Sequence, residues 1–177
     1  MIEVTIDSIR VSLMSQHRVV VLKEADVERY LAIWIGPDTA EAIHMHLQQV
    51  AVARPMTHDL MKNLIRAMNA KVSHIVINDL RNDVFYARIV LDVDGKSIEV
   101  DARPSDSLAL AVRCGAKIFV ADDVMAQAGT EPEEGIDIEM LLSGAAAAAT
   151  DSAESDEEED LDIFRDFVDS LDLDDLG

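Results

Sequence analysis

Cysteine occurs once in the 177 residues, as Cys114. An intramolecular disulfide is therefore excluded, and a lone thiol in an apolar run reads as a small buried hydrophobe of a reducing compartment. No apolar run reaches the ~18 residues that a membrane-crossing helix requires, and no basic segment leads into an apolar stretch of signal length. A soluble, cytoplasmic protein without a membrane partner is expected. Glycine-rich phosphate loops, dinucleotide fingerprints and paired cysteines for zinc are missing, so no organic cofactor is expected. No serine or cysteine stands in a nucleophile's setting. Aromatic residues make up only 4% of the chain, and no basic run is interleaved with them, which argues against strong nonspecific DNA binding by charge.

Positive charge is also scarce: 15 Lys and Arg stand against 35 Asp and Glu. The imbalance is local. Residues 1–129 hold 14 basic against 17 acidic side chains, a net −3, whereas residues 130–177 hold 1 against 18, a net −17. The first part is a nearly neutral domain with a large apolar fraction. Within residues 130–160, SGAAAAATDSAESDEEED lacks a periodic apolar face and carries a block of like charge, and the range is expected to be a disordered acidic linker. In residues 161–177, Leu161, Phe164, Phe167 or Val168, and Leu171 recur at helical spacing between acids. This predicts a short amphipathic segment that docks on its own domain or on a protein partner. Two uses for the acidic tail stand side by side: a solubilising extension, or a nucleic-acid mimic that covers a binding groove.

The domain itself reads as alternating blocks. MIEVTIDSIRVSL alternates apolar and polar residues as a half-buried strand does, and RVVVLKE and RYLAIWIG are two further short β-branched or aromatic runs. Gly36-Pro37 ends the third. Asp38, with Glu41 three residues on, has the pattern of a capping box, and the helix after it places Ala40, Ile43, Leu47 and Val50 on one stripe. A second helix follows Arg54-Pro55, with Thr57 as the natural N-cap and Leu60, Leu64, Ile65 and Met68 inside. The order then repeats with strands SHIVINDL, VFYARIVLDV and SIEVDA, turned at Asn82-Asp83 and Asp94-Gly95. After Arg103-Pro104 comes a helix closed by Gly115, then a short strand AKIFVADD and a last helical turn or two. The fold expected is α+β: a duplicated unit of three strands followed by helices, with a mainly antiparallel sheet.

Two-residue turns would fix the register of the second unit. Arg88 would then oppose Asp101, Val90 oppose Glu99, Tyr86 oppose Arg103, Asp79 oppose Tyr86 and Ile77 oppose Arg88. Opposed side chains share a face, so Asp79, Tyr86 and Arg103 would form one polar row and Arg88, Asp101 and Glu99 the next. Phe85, Ala87, Ile89, Leu91, Ile98 and Val100 would form the apolar side. The polar row is either a set of weak surface ion pairs or a groove floor. For the second reading, Ser105 and Asp106 follow Pro104 at a helix start whose free N–H groups suit phosphate. Arg103 could clamp that phosphate, and Asp106 with Asp101 or Glu99 could hold a divalent ion such as Mg2+ or Mn2+. At the first Arg-Pro step stand Arg54, His58 and Asp59. His58 is either an exposed first-turn residue or a general acid or base. Glu41 and His44 share a helix face, but capping and a plain surface role explain them. His44 and His46 diverge and make no metal pair, and His17 and His74 show no partner pattern.

ARPMTHDL, INDLRNDVFYARIVL and VDARPSDSLALAVR together resemble the bacterial bifunctional nuclease domain family, over roughly residues 2–128. The resemblance implies a duplicated α+β domain, a homodimer, and DNase and RNase activity on a DNA or RNA substrate. The matching positions are Arg54, Pro55, His58 and Asp59; Asp79, Phe85, Tyr86 and Ala87; and Asp101, Arg103, Pro104, Ser105 and Asp106. Chemistry then suggests His58, Asp59, Arg103 and Asp106 as catalytic groups. Arg54, Tyr86, Arg88 and Ser105 would contact substrate, and Asp101, Asp106 and Glu99 would be metal ligands. The rival reading is a non-catalytic module that binds nucleic acid or protein. The nearly neutral domain favours that rival, since nucleic-acid enzymes commonly present more positive surface.

Overall fold

The computed structural model describes residues 1–11 and 18–131. His17, most of the expected acidic linker and all of the expected C-terminal segment lie outside the described residues. A compact unit spans Met1–Pro132, and Thr130 belongs to it, since its backbone pairs with Tyr30 in both directions at 2.8 Å.

The first unit runs β1 (Ile2–Val11), β2 (Arg18–Glu24), β3 (Tyr30–Ile35), α1 (Pro37–Leu47) and α2 (Thr57–Ala67). The second runs β4 (Ala70–Arg81), β5 (Val84–Val93), β6 (Lys96–Ala102), α3 (Pro104–Cys114), β7 (Lys117–Val120) and α4 (Asp122–Ala128). One seven-stranded sheet has the order β3-β2-β1-β7-β4-β5-β6. Each unit contributes an antiparallel three-stranded meander, and β7 joins them, antiparallel to β1 and parallel to β4. The expected mainly antiparallel α+β fold is what forms.

Both turns of the second meander are two-residue loops with positive φ throughout: Asn82 and Asp83 at 47° and 61°, Asp94 and Gly95 at 52° and 78°. That geometry matches the twist of the strands it connects. The β5–β6 register is therefore as expected, with Arg88 opposite Asp101 and Val90 opposite Glu99. Two expected pairs fail. A bulge between Ile77 and Asp79 moves Arg88 opposite Val76 and leaves Ile77 facing Ala87. The β5–β6 ladder ends at Ala87 and Ala102, so Arg103 does not oppose Tyr86 but enters the next helix as its N-cap.

α3 lies at the centre. Its Ser107, Leu108, Ala109, Leu110 and Ala111 are fully buried, and it packs on α1, α2, β4, β5 and β7. The small alanines allow close approach on several sides. Leu108 and Leu110 each contribute roughly 1.5–3 kcal/mol relative to exposure. Gly115 ends the helix with φ 64°, a left-handed conformation that a residue with a Cβ adopts at a cost of about 1–2 kcal/mol.

Several helical positions differ from expectation. α1 begins at Pro37 with Gly36 as N-cap, because proline's fixed φ suits the first helical position; Asp38 is already inside the helix. Leu47 and Val50 are exposed, since the helix ends at Leu47 before its stripe can continue. On α2, His58 and Ile65 face inward, whereas Leu60, Leu64 and Met68 are exposed. Met56, not Thr57, is its N-cap. Ile98 and Val100 are also exposed, because the helices pack over β2, β3, β4, β5 and β7 and leave the β6 edge largely uncovered. No helix among the described residues is long and apolar enough to cross a membrane.

Candidate active site at paired helix starts

The two Arg-Pro steps meet in space. In α2 the first three residues are Thr57, His58 and Asp59; in α3 they are Pro104, Ser105 and Asp106. Asp59 and Asp106 thus occupy the same third position, where a carboxylate is favoured by the free N–H groups of a helix start. Each acid takes a partner from the other helix. Asp106 Oδ1 lies 3.2 Å from His58 Nε2, and Arg113 Nε donates to Asp59 Oδ1 at 2.8 Å.

The Asp59 half is a buried latch. Its second oxygen accepts the Met56 N–H at 3.1 Å, which caps α2. The Arg113 side chain is only 2% exposed. It also donates to the carbonyls of Ala109 and Ala42, each at 2.9 Å, so one guanidinium ties together α1, α2 and α3. Lys62 of α2 adds a bond to the Arg113 carbonyl at 2.7 Å. Desolvation pushes the Asp59 carboxyl pKa up, but the Met56 N–H and Arg113 outweigh it and hold the group below its ordinary value.

The Asp106 half opens to solvent. His58 is 7% exposed, held against α3 rather than standing free as a first-turn residue. Arg103 Nε donates to Asp106 Oδ2 at 2.7 Å, and the Arg103 side chain is 76% exposed. Partial burial pushes the Asp106 carboxyl up, and the bonds from Arg103 and His58 more than reverse this, so its pKa is lowered. Asp106 is therefore a carboxylate at neutral pH, and its pairing raises the pKa of Arg103. With Nε2–H directed at the carboxylate, the Nδ1 edge of the ring is left to face a ligand. The cluster thus combines an imidazole held by a carboxylate and an exposed guanidinium at a helix start.

The other sequence-predicted residues are elsewhere. Ser105 is buried in the first turn of α3, and Arg54 is exposed in the segment before α2. Asp79 and Tyr86 do pair across β4 and β5, but Asp79 bonds Arg81, and Arg81 also lies 5.4 Å from the Tyr86 ring centre. Arg103 is not in that row. Arg88 donates to Glu99 at 2.6 Å on the sheet face that carries no helices, and Asp101 is exposed on β6. The three proposed metal ligands are therefore not gathered. Both oxygens of Asp106 are engaged by His58 and Arg103, and no cluster of three or more His, Cys, Asp or Glu among the described residues is arranged to hold a metal ion.

Sequence reasoning missed Arg113 as the organising residue. Its only signal was a charged side chain inside an otherwise apolar helix, ALAVRCG, since a buried cation requires a fixed anionic partner. Cys114 beside it is half-buried, and burial pushes its thiol pKa up, which fits an inert thiol.

An α+β domain with a histidine–carboxylate–arginine cluster at paired helix starts is thus the class that the fold and site define. Residues 20–133 match the bifunctional nuclease domain model, and the chain belongs to that family. It is 40% identical over 174 residues to an uncharacterized protein of Mycobacterium tuberculosis, covering 98% of this chain and 97% of that protein. It is 28% identical over 108 residues to "Bifunctional nuclease 1" of Oryza sativa subsp. indica, covering 59% of this chain and a third (33%) of the rice protein. "Bifunctional nuclease 2" of Oryza sativa subsp. japonica is 34% identical over 77 residues, 42% of this chain and 24% of that protein.

Proposed function

We propose that this protein is a nuclease that hydrolyses phosphodiester bonds in DNA, RNA or both, in a reducing, cytoplasmic setting. Family membership supports the reaction class, and the observation that carries the site is the His58–Asp106–Arg103 cluster. Arg103 meets the scissile phosphate at the α3 start and stabilises the charge that builds on it during attack. His58, oriented by Asp106 through Nε2, removes a proton from the attacking water at Nδ1. The resulting imidazolium is stabilised by the Asp106 carboxylate and can return the proton to the leaving oxygen. Asp59 acts one step back, holding the α2 start to Arg113 and so keeping His58 in reach of Asp106.

The test is cleavage of single- and double-stranded DNA and RNA by the purified full chain, with arms in Mg2+, Mn2+ and EDTA. The Arg103→Ala/Asp106→Ala double variant reports contamination. Cleavage that disappears in the variant supports this site, cleavage that persists unchanged removes it, and no cleavage in any arm favours the binding-module reading.

A homodimer is also proposed, on a separate observation. Leu60, Leu64 and Met68 form an exposed stripe along one side of α2, the arrangement of apolar residues that a second helix covers. Sedimentation of the wild type and of Leu64→Glu tests it: the stripe predicts a dimer that the charge dissociates.

A further inference from the structure

The helix-free face of the sheet holds a second feature. Along β4 and β5, Ile75, Ile77, Ala87 and Ile89 point to the helices and the main core. The alternate residues point the other way, and two of them, Val76 and Val90, are nonetheless buried. They line a pocket of about 310 Å3 whose polar walls are His74, Asn78, Arg88, Ser97 and Glu99, with Met1 and Ala121 at its side. The bulge that displaces Arg88 from Ile77 places Asn78 as the extra residue of β4, and bulges re-aim side chains in this way. Asn78 Oδ1 is buried with no hydrogen-bond partner among the described residues. A buried amide atom left without a partner is costly whichever way the amide is turned, and a ligand that bonds it removes that cost.

We infer that this pocket takes one nucleotide unit, its base seated inward. Two valines give an apolar floor that suits the flat face of a ring, and the Asn78 amide meets the edge of a base, which offers both donors and acceptors. Arg88 stands at the same pocket with its charge balanced by Glu99 at 2.6 Å, and its remaining N–H groups are available to a phosphate. The volume is at the small end of ligand pockets, roughly 300–1,000 Å3, which suits one nucleotide and not a duplex. None of His58, Arg103 and Asp106 lines it. The inference rests on the nuclease reading only where the nucleotide is taken to belong to a strand being cut; a free mononucleotide has the same chemistry.

Calorimetric titration of the full chain with AMP, GMP, CMP and UMP, with a five-nucleotide single strand, and with ribose 5-phosphate as a base-free control tests this. Saturable binding of mononucleotides or of the strand, with ribose 5-phosphate inert, is expected. Asn78→Ala should weaken it about tenfold, the loss of one buried hydrogen bond. Ser97→Trp, at an exposed position of the edge strand that blocks the pocket without touching the core, should abolish it. Binding of the strand alone identifies a strand as the source, and binding of mononucleotides identifies a free ligand. Equal binding of ribose 5-phosphate, unchanged binding in Ser97→Trp, or no binding of any nucleotide overturns the inference. Nucleotide binding that survives in His58→Ala, whether or not the wild type cleaves, separates this pocket from the proposed active site.

Discussion

The starts of α2 and α3 are built on the same sequence step and do different work. Both follow Ala-Arg-Pro, and both place an aspartate at the third helical position. Asp59 reaches a buried arginine, accepts its own helix's cap N–H and holds three helices together. Asp106 reaches an exposed arginine and a buried histidine. What separates them is the burial of the cation. A guanidinium removed from water must keep its partner, whereas one at the surface can exchange its partner for a phosphate. Two helix starts with the same Ala-Arg-Pro step and the same third-position aspartate thus differ in whether the ion pair is locked inside or open at the surface.

That division can be broken at several points, beginning with the largest effect. Arg113→Ala leaves the Asp59 carboxylate partly buried and unpaired and strips hydrogen bonds from two carbonyls. A loss of about 3–5 kcal/mol is expected in denaturant unfolding. Arg103→Ala should leave the unfolding midpoint almost unchanged, because exposed pairs add little, while cleavage falls about 10²–10³-fold if Arg103 stabilises the transition state. Equal stability losses in the two variants would erase the contrast.

The pH dependence sharpens it further. Both carboxyl pKa values are lowered in the folded protein, so the unfolded chain binds protons more readily. The stability they provide is complete above the unfolded value near pH 4 and is lost as pH falls through the folded values. Denaturation measured between about pH 6 and pH 2 should show this loss. Asp59→Asn should flatten it more than Asp106→Asn, because its cation is the buried one. The smallest effect is expected at the α2 stripe: Leu64→Glu should change the unfolding free energy of the separated chain by within about 0.5 kcal/mol, and act on self-association instead.

Much of this was legible in the chain. Period-two runs and two-residue turns marked the strands; Asp94-Gly95 set the β5–β6 pairing, and Asn82-Asp83 set the β4–β5 pairing as far as the bulge. The helix breaks at Gly36-Pro37, Arg54-Pro55 and Gly115 also stood in the sequence. His58, Asp59, Arg103 and Asp106 could be singled out by residue type and position. The misplacements share a cause. The apolar stripe Leu60, Leu64 and Met68, and Ile98 with Val100, have core periodicity, but periodicity marks a face and not what lies against it. The bulge at Asn78 leaves no distinct mark in sequence, yet it shifts every pair between it and the next irregularity.

The sequence by itself determined the elements, their turns and the presence of two acid-bearing helix starts, because those depend on local backbone preferences and short-range hydrogen bonds. Tertiary structure alone decided that His58 belongs to Asp106 and Arg113 to Asp59, pairs 48 and 54 residues apart. Such pairs form only when helices from both units pack over one sheet, and burial then dictates which ion pair is fixed and which stays open to a ligand.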